Sequence, residues 1–275
     1  MSNLAIGDRM KAYENCYRNY LPNGFDVIIR VDGRAFHTLT KGFYKPFDTL
    51  FMETMKDTAA YLCKEIQGVK FAYVQSDEIS LWLNYDYENG EQPWFGNNIQ
   101  KMVSVSASLA TLKFNQVFID RYTNFYEFCL HDTDPSDKEL TKERMNQMNI
   151  YESRFNTATF DSRVFILPHE EVANYFLWRT KDMERNSIQM VARSLYSHKE
   201  LVGKKSADLH ELIHQKGQNW NNYPGDMKHG TVVVKHIHSV GDAWRTKWGP
   251  MDDVMFPDSN YESWNTFVNR FVEKE

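Results

Sequence analysis

The chain has 275 residues, 42% hydrophobic and 25% charged, with a net charge of −5 and a pI of about 6.0. That composition excludes a disordered chain and suits one large globular domain or two small ones. It also excludes a uniformly basic coat, so nucleic-acid binding would need a local basic surface on an acidic body.

No apolar run reads as long enough to span a bilayer, so no membrane partner is expected. The start, MSNLAIGDRMKAYENCYRNY, lacks the apolar core of a signal peptide. Cys16, Cys63 and Cys129 form no C-x-x-C pair. Reduced thiols and a cytoplasmic location are the expectation.

In chain order, FDVIIRVD (25–32) predicts a strand ending at Asp32-Gly33. Residues 48–66 predict a helix, with Asp48 as its cap and Phe51, Met55, Ala59, Leu62 and Ile66 at helical spacing. Gly68 ends it. Residues 71–75 and 79–84 predict two strands separated by Ser76-Asp77-Glu78. Residues 99–127 predict a long helix with small residues, Ser104, Ser106, Ala107 and Ser108, for close packing. A polar stretch, 131–157, reads as a surface excursion. FDSRVFIL (160–167) predicts a strand. Pro168, Glu170 and Glu171 open a helix to about Tyr196. A short helix (206–216), a strand (231–238) and an aromatic-rich tail follow.

The order is that of a βαββαβ, ferredoxin-like unit within an α+β fold. Residues 1–130 would hold its first part and 158–235 its completion, with 236–275 a tail of unassigned role. The carboxylates between 75 and 79 then need not lie in the core. As the tip of a hairpin, Ser76-Asp77-Glu78 would sit in water at the end of the sheet, where Asp77 could face Asp32.

Asp32, the Gly33 carbonyl and Asp77 are oxygen donors suited to Mg²⁺. Ordinary turn carboxylates would look the same. His37, Lys41 and Lys45 follow Asp32 closely and could hold a triphosphate. Neither G-x-x-x-x-G-K-[ST] nor G-x-G-x-x-G is present. Arg179, Asp182, Asn186, Gln189 and Arg193 recur at spacings that place them on one helix face. HELIHQKG (210–217) contains H-E-x-x-H, so His210 and His214 could bind zinc with Glu211 as base. The third histidine position of that motif is Trp220.

DGRAFHTLTKGFYKPFD, VQSDEISLWL, FDSRVFILP and NYFLWRTKDMERNSIQM, in this order, resemble the tRNA(His) guanylyltransferase family. The likeness is greater to its guanylyltransferase-like branch. That resemblance implies a polymerase-like palm and nucleotide addition to the 5′ end of tRNA in the 3′-to-5′ direction. The 5′ phosphate is first activated by ATP, and GTP or another nucleoside triphosphate is added. It implies two Mg²⁺ ions on Asp32, the Gly33 carbonyl and Asp77, with Glu78 in the same catalytic block. It implies nucleotide contacts at Gly33, Arg34, Ala35, Phe36, His37, Lys45, Asp48 and Ser76. It implies RNA contacts at Lys101, Arg163, Arg179, Asn186 and Arg193, and a homotetramer.

Eukaryotic members carry H-I-N-N-L-Y-N where this chain has Glu184 to Met190, retaining the first Asn as Asn186. That departure favours template-directed repair of 5′-truncated tRNA over dedicated guanosine addition to tRNA(His). The alternatives are a tRNA(His)-specific guanylyltransferase, an RNA-binding module without catalysis, a nucleotide cyclase, and a zinc hydrolase at HELIH.

Overall fold

The computed structural model describes residues 5–132, 138–240 and 243–272. An exposed helix α1 (Ile6–Asn15) precedes β1 (Asp26–Gly33), the short α2 (Phe36–Leu39), α3 (Thr49–Glu65), β2 (Val69–Gln75) and β3 (Glu78–Leu83). Next come α4 (Ile99–Asp132), α5 (Lys138–Glu152), β4 (Phe160–Leu167) and α6 (His169–Leu195). The short α7 (His198–Leu201), α8 (Ser206–Gln215), α9 (Gly225–His229), β5 (Thr231–Val240), β6 (Ala243–Pro250) and α10 (Tyr261–Asn269) follow.

The strands form one antiparallel sheet in the order β4-β1-β3-β2-β5-β6. Its first four strands follow the chain as β1-α3-β2-β3-α4-β4, the βαββαβ order read from the sequence. Both faces of the sheet are covered, which is why β1 and β3 are apolar at nearly every position. Val27, Ile29 and Val31 of β1 join Ile79, Leu81 and Leu83 of β3 on the face packed by α3 and α4. Ile28 and Trp82 point the other way, towards α6 and α10, as strand alternation requires.

The helix predicted from 48 begins there. Asp48 caps α3 by accepting from the Phe51 amide at 2.9 Å. The small residues of α4 allow close approach to β4, and Ser106 Oγ donates to Ser162 Oγ at 2.7 Å. By length and composition alone, the 99–129 part of α4 is apolar enough to cross a membrane, contrary to the expectation of no such run. In this fold one side of that helix is core, with Met102, Ala110, Phe114 and Phe118 buried against the sheet and α3.

Two segments differ from expectation. The polar stretch 131–157 contains α5, and Tyr151 at its end is 1% exposed among Phe43, Phe118 and Phe125. Residues 133–137 of that stretch lie outside the described residues. The tail from 236 is part of the fold. β6 completes the sheet edge, and α10 inserts Trp264, Phe267 and Val268 into the second core. The Trp264 ring stacks on Phe176 at 5.6 Å. Burying each such apolar side chain contributes about 1.5–3 kcal/mol. The helix is amphipathic, but its partner face is formed by residues far away in the chain.

Candidate active site

The β2–β3 connection is a two-residue turn, Ser76-Asp77, with Ser76 in the left-handed region at φ 48°. Strand pairing sets Asp32 opposite Glu78. One residue further on, the Gly33 amide donates to the Asp77 carbonyl at 3.0 Å. The ends of β1 and of the hairpin are thus tied together, and Asp32 and Asp77 are neighbours. Burial raises the Asp77 carboxyl above its ordinary range, and the negative charge of Asp32 adds to this. Ser76 and the nearby His37 act in the opposite direction.

Gly33 is required sterically. A Cβ there would lie 2.6 Å from the buried Phe36 ring. Ala35 caps α2 with φ 57°, a left-handed backbone that is uncommon outside glycine. Arg34 and His37 remain exposed around this turn, and the Arg34 amide donates to the Thr159 carbonyl at 2.9 Å.

Beside the turn is a cleft of about 320 Å³. Phe36, Lys45, Asp48, Ser76, Asp77 and Arg193 all line it. Lys45 and Arg193 are exposed cations from different parts of the chain, facing one carboxylate turn. Asp48 is a wall of the cleft, 5% exposed, and its carboxylate is already engaged. It accepts from the Tyr44 amide at 3.0 Å, the Phe51 amide at 2.9 Å and the Tyr151 hydroxyl at 2.6 Å. Tyr44 and Met190 also line the cleft. Both lie inside the motif blocks of the sequence, which assigned neither of them a role.

Glu78 has a different setting from the one expected. It is the first residue of β3, 8% exposed, and does not line the cleft. Arg179 of α6 donates to both of its oxygens, Nε to Oε1 at 2.8 Å and Nη2 to Oε2 at 3.0 Å. Arg30 Nε lies 3.8 Å from Oε2. Burial pushes the Glu78 carboxyl up, and the two guanidinium groups offset part of that rise. A buried carboxylate needs such partners.

The same contacts revise the polar stripe on α6. Arg179 is 7% exposed, held by Glu78 and by Asp182 at 3.2 Å, so it offers no free donor fork to RNA. The stripe starts under the sheet and emerges along the helix, where Asn186 and Arg193 are exposed. Arg193 reaches the cleft and Asn186 does not. Arg163 is exposed on edge strand β4, 3.9 Å from Asp161, which pairs with Asp32. Lys101 is not brought near. Helix α4 meets β4 at Ser162 through Ser106 and at Phe160 through Thr111. Lys101, in its first turn, therefore lies towards the Asp26 end of the sheet, over the Phe95 ring.

Among the described residues, no three His, Cys, Asp or Glu side chains are grouped closely enough to hold a metal ion. At HELIH, His210 packs against Trp220 at 5.5 Å, Glu211 and His214 are exposed, and no third ligand joins them. The Asp32–Asp77 turn has a different donor set, two carboxylates and a backbone carbonyl. That set fits a hard divalent cation that fills its remaining positions with water and phosphate oxygens. The burial of Asp77 and the negative charge of Asp32 beside it favour such a charge there.

Residues 7–168, more than half of the chain, match the family model described as tRNAHis guanylyltransferase. The chain belongs to this family. As a family member it is a nucleotidyltransferase, and a purely RNA-binding role is set aside. A solved bacterial tRNA(His) guanylyltransferase-like protein in complex with ATP is 39% identical, covers 98% of this chain and 99% of its own, and superposes with a TM-score of 0.76. The same kind of protein in complex with GTP is 35% identical, with a TM-score of 0.73. The probable tRNA(His) guanylyltransferase of Drosophila melanogaster is 24% identical over 92% of this chain and 81% of its own length. The guanylyltransferase of Debaryomyces hansenii is 26% identical over 79% of this chain and 76% of its own. In this tRNAHis guanylyltransferase-family chain the fold is a mixed helical and antiparallel-sheet structure like those solved relatives.

Proposed function

We propose that this enzyme extends the 5′ end of tRNA in the 3′-to-5′ direction, repairing 5′-truncated tRNA against the opposite strand. The observation carrying this reading is the Asp32–Asp77 turn beside a cleft with Lys45 and Arg193 on its walls. Two relatives solved with ATP and GTP share that whole chain length, and both nucleotides are proposed substrates here.

The tRNA 5′ phosphate is first joined to AMP from ATP, releasing pyrophosphate. The 3′-hydroxyl of an incoming nucleoside triphosphate then attacks that phosphorus. A new phosphodiester bond forms, the phosphoanhydride to AMP breaks, and AMP leaves. Such transfers depend on in-line positioning and charge stabilisation more than on covalent catalysis. Lys45 and Arg193, both lining the cleft, bind the triphosphate. Asp32, Asp77 and the Gly33 carbonyl would hold Mg²⁺, two ions in all, which supplies charge neutralisation for the phosphates. Phe36 supplies apolar lining to the cleft. The core is a polymerase-like palm in this reading. The working unit is a homotetramer in the cytoplasm.

The test is a tRNA transcript lacking its first nucleotide, incubated with the protein, Mg²⁺, ATP and all four nucleoside triphosphates. The 5′ end is resolved to single nucleotides. Addition of the base complementary to the opposite strand, lost in Asp32→Ala and Asp77→Ala, supports the reading. Guanosine addition confined to tRNA(His) would establish the second reading, a tRNA(His)-specific guanylyltransferase, which the family description favours.

A further inference from the structure

A second depression, about 830 Å³, lies between α3, α4 and the β5–β6 hairpin. Four lysines line it: Lys64 of α3, Lys113 of α4, Lys235 of β5 and Lys247 of β6. None of the four forms an ion pair among the described residues. Arg121 is there too, bound to Asp57 at 2.6 Å. The remaining carboxylate is Asp120, so five cations meet two carboxylates on a chain of net charge −5.

The two carboxylates leave most of this positive charge unbalanced, since Arg121 takes up Asp57 and the four lysines form no ion pair among the described residues. Like charges gathered in one concave site repel, and a polyanion relieves that repulsion while releasing its counterions. Two aromatic rings are interleaved with the lysines. Lys113 Nζ lies 5.3 Å from the Tyr61 ring, and Lys235 Nζ lies 5.3 Å from the Trp248 ring. Each ring lies beside a lysine, and a row of cations in a groove is what tracks a nucleic-acid backbone.

The geometry points to this groove as a binding site for the phosphate backbone of RNA, distinct from the nucleotide cleft. The inference rests on the RNA substrate proposed above. It commits to RNA over an acidic peptide because of the groove's place on α3. Asp48, which caps α3, is a wall of the cleft. At 1.5 Å per residue, the groove residues Asp57 to Lys64 lie about 13–24 Å along the same helix. An RNA helix with its 5′ end in the cleft is a rod that must cross the protein surface over distances of this order.

The full-length protein is compared with Lys64→Ala/Lys113→Ala/Lys235→Ala/Lys247→Ala, with circular dichroism and ATP binding as controls for fold and cleft. Binding of a tRNA transcript is measured from about 50 to 200 mM salt, together with steady-state 5′ extension. The variant is expected to bind tRNA at least about tenfold more weakly, with a log–log salt slope shallower by about 3, from 0.7–0.9 per phosphate lost. KM for tRNA rises and kcat is unchanged. The exposed pair Lys64→Gln/Lys247→Gln gives the same readout at about half the slope change, should the quadruple variant misfold. Wild-type tRNA binding with slope and KM unaltered in the variants overturns the groove and leaves the proposed function standing. A wild-type protein that neither binds nor extends tRNA overturns the function, and the RNA groove with it. Loss of poly-glutamate binding without loss of tRNA binding gives the groove to acidic peptides and also overturns the proposal.

Discussion

Glu78 at the start of β3 and Arg179 on α6 are joined side-on by two hydrogen bonds of 2.8 and 3.0 Å, although 101 residues separate them. Gln75, with its amide oriented to satisfy both groups, accepts from the same guanidinium and donates to the Arg179 carbonyl. The pair anchors the α6 helix to the strand end that carries the Ser76-Asp77 turn. It explains how an acidic residue opposite Asp32 can be buried.

Arg179→Met would leave Glu78 buried with only the more distant Arg30. The expected loss is about 3–5 kcal/mol of unfolding free energy. Arg179→Met/Glu78→Gln should lose less than the single variant, because no unpaired charge remains. Urea denaturation checks both. A single variant within about 1 kcal/mol of wild type would mean that the pair is not holding the interface.

Asp32→Asn should abolish nucleotide addition while leaving thermal stability unchanged or higher. The negative charge of Asp32 helps raise the Asp77 carboxyl, so removing it relieves a like-charge contact. A thermal melt and the extension assay are read together. A clear drop in melting temperature would contradict the description of this turn as electrostatically strained.

Asp48→Ala removes the cap of α3 and leaves the Tyr151 hydroxyl and the Tyr44 amide without their acceptor. The expected cost is about 3 kcal/mol, from a lost cap together with buried unsatisfied donors. Chemical denaturation measures it. If stability holds and only nucleotide affinity falls, the carboxylate serves the ligand and the capping contacts are dispensable.

Glu184 on α6 accepts from His229 Nδ1 at 3.0 Å and from the Ser259 hydroxyl. Burial acts to raise its carboxyl, but those hydrogen bonds outweigh it and hold the group below its ordinary value of 4.5. A depressed carboxylate stabilises the fold above its unfolded pKa, and that contribution is lost as pH falls through the folded value. Melting temperature should therefore fall below about pH 4.5 less steeply in Glu184→Gln than in wild type. Parallel curves for the two proteins would rule out this linkage.

Much of the sheet was legible because local rules govern it. Both faces of β1 and β3 are covered, so their apolar runs marked them as strands, and Asp48 with a helical repeat marked α3. Turn chemistry located the corner at Ser76-Asp77-Glu78, one residue too long, because Glu78 already pairs with Gln75 and Asp32 in the sheet. Residues 131–157 misled because α5 is polar on most of its surface and contributes one deeply buried ring, Tyr151. The tail misled for a related reason: α10 gains stability from Phe71 and Phe176, which its own sequence does not contain.

By itself the sequence determined the order of strands and helices in the βαββαβ core, the turn that carries Asp77, and the kinship carried by its motifs. These follow from short-range spacing, capping and backbone preference, which any window of the chain displays. Only the tertiary structure decided which charges are free. Arg179 and Arg193 share one helix stripe, yet the first is spent on Glu78 and the second lines the cleft. Lys64, Lys113, Lys235 and Lys247 have no motif in common, yet they line one groove. Charge pairing depends on distances between elements that meet only on folding, and no local pattern encodes those distances.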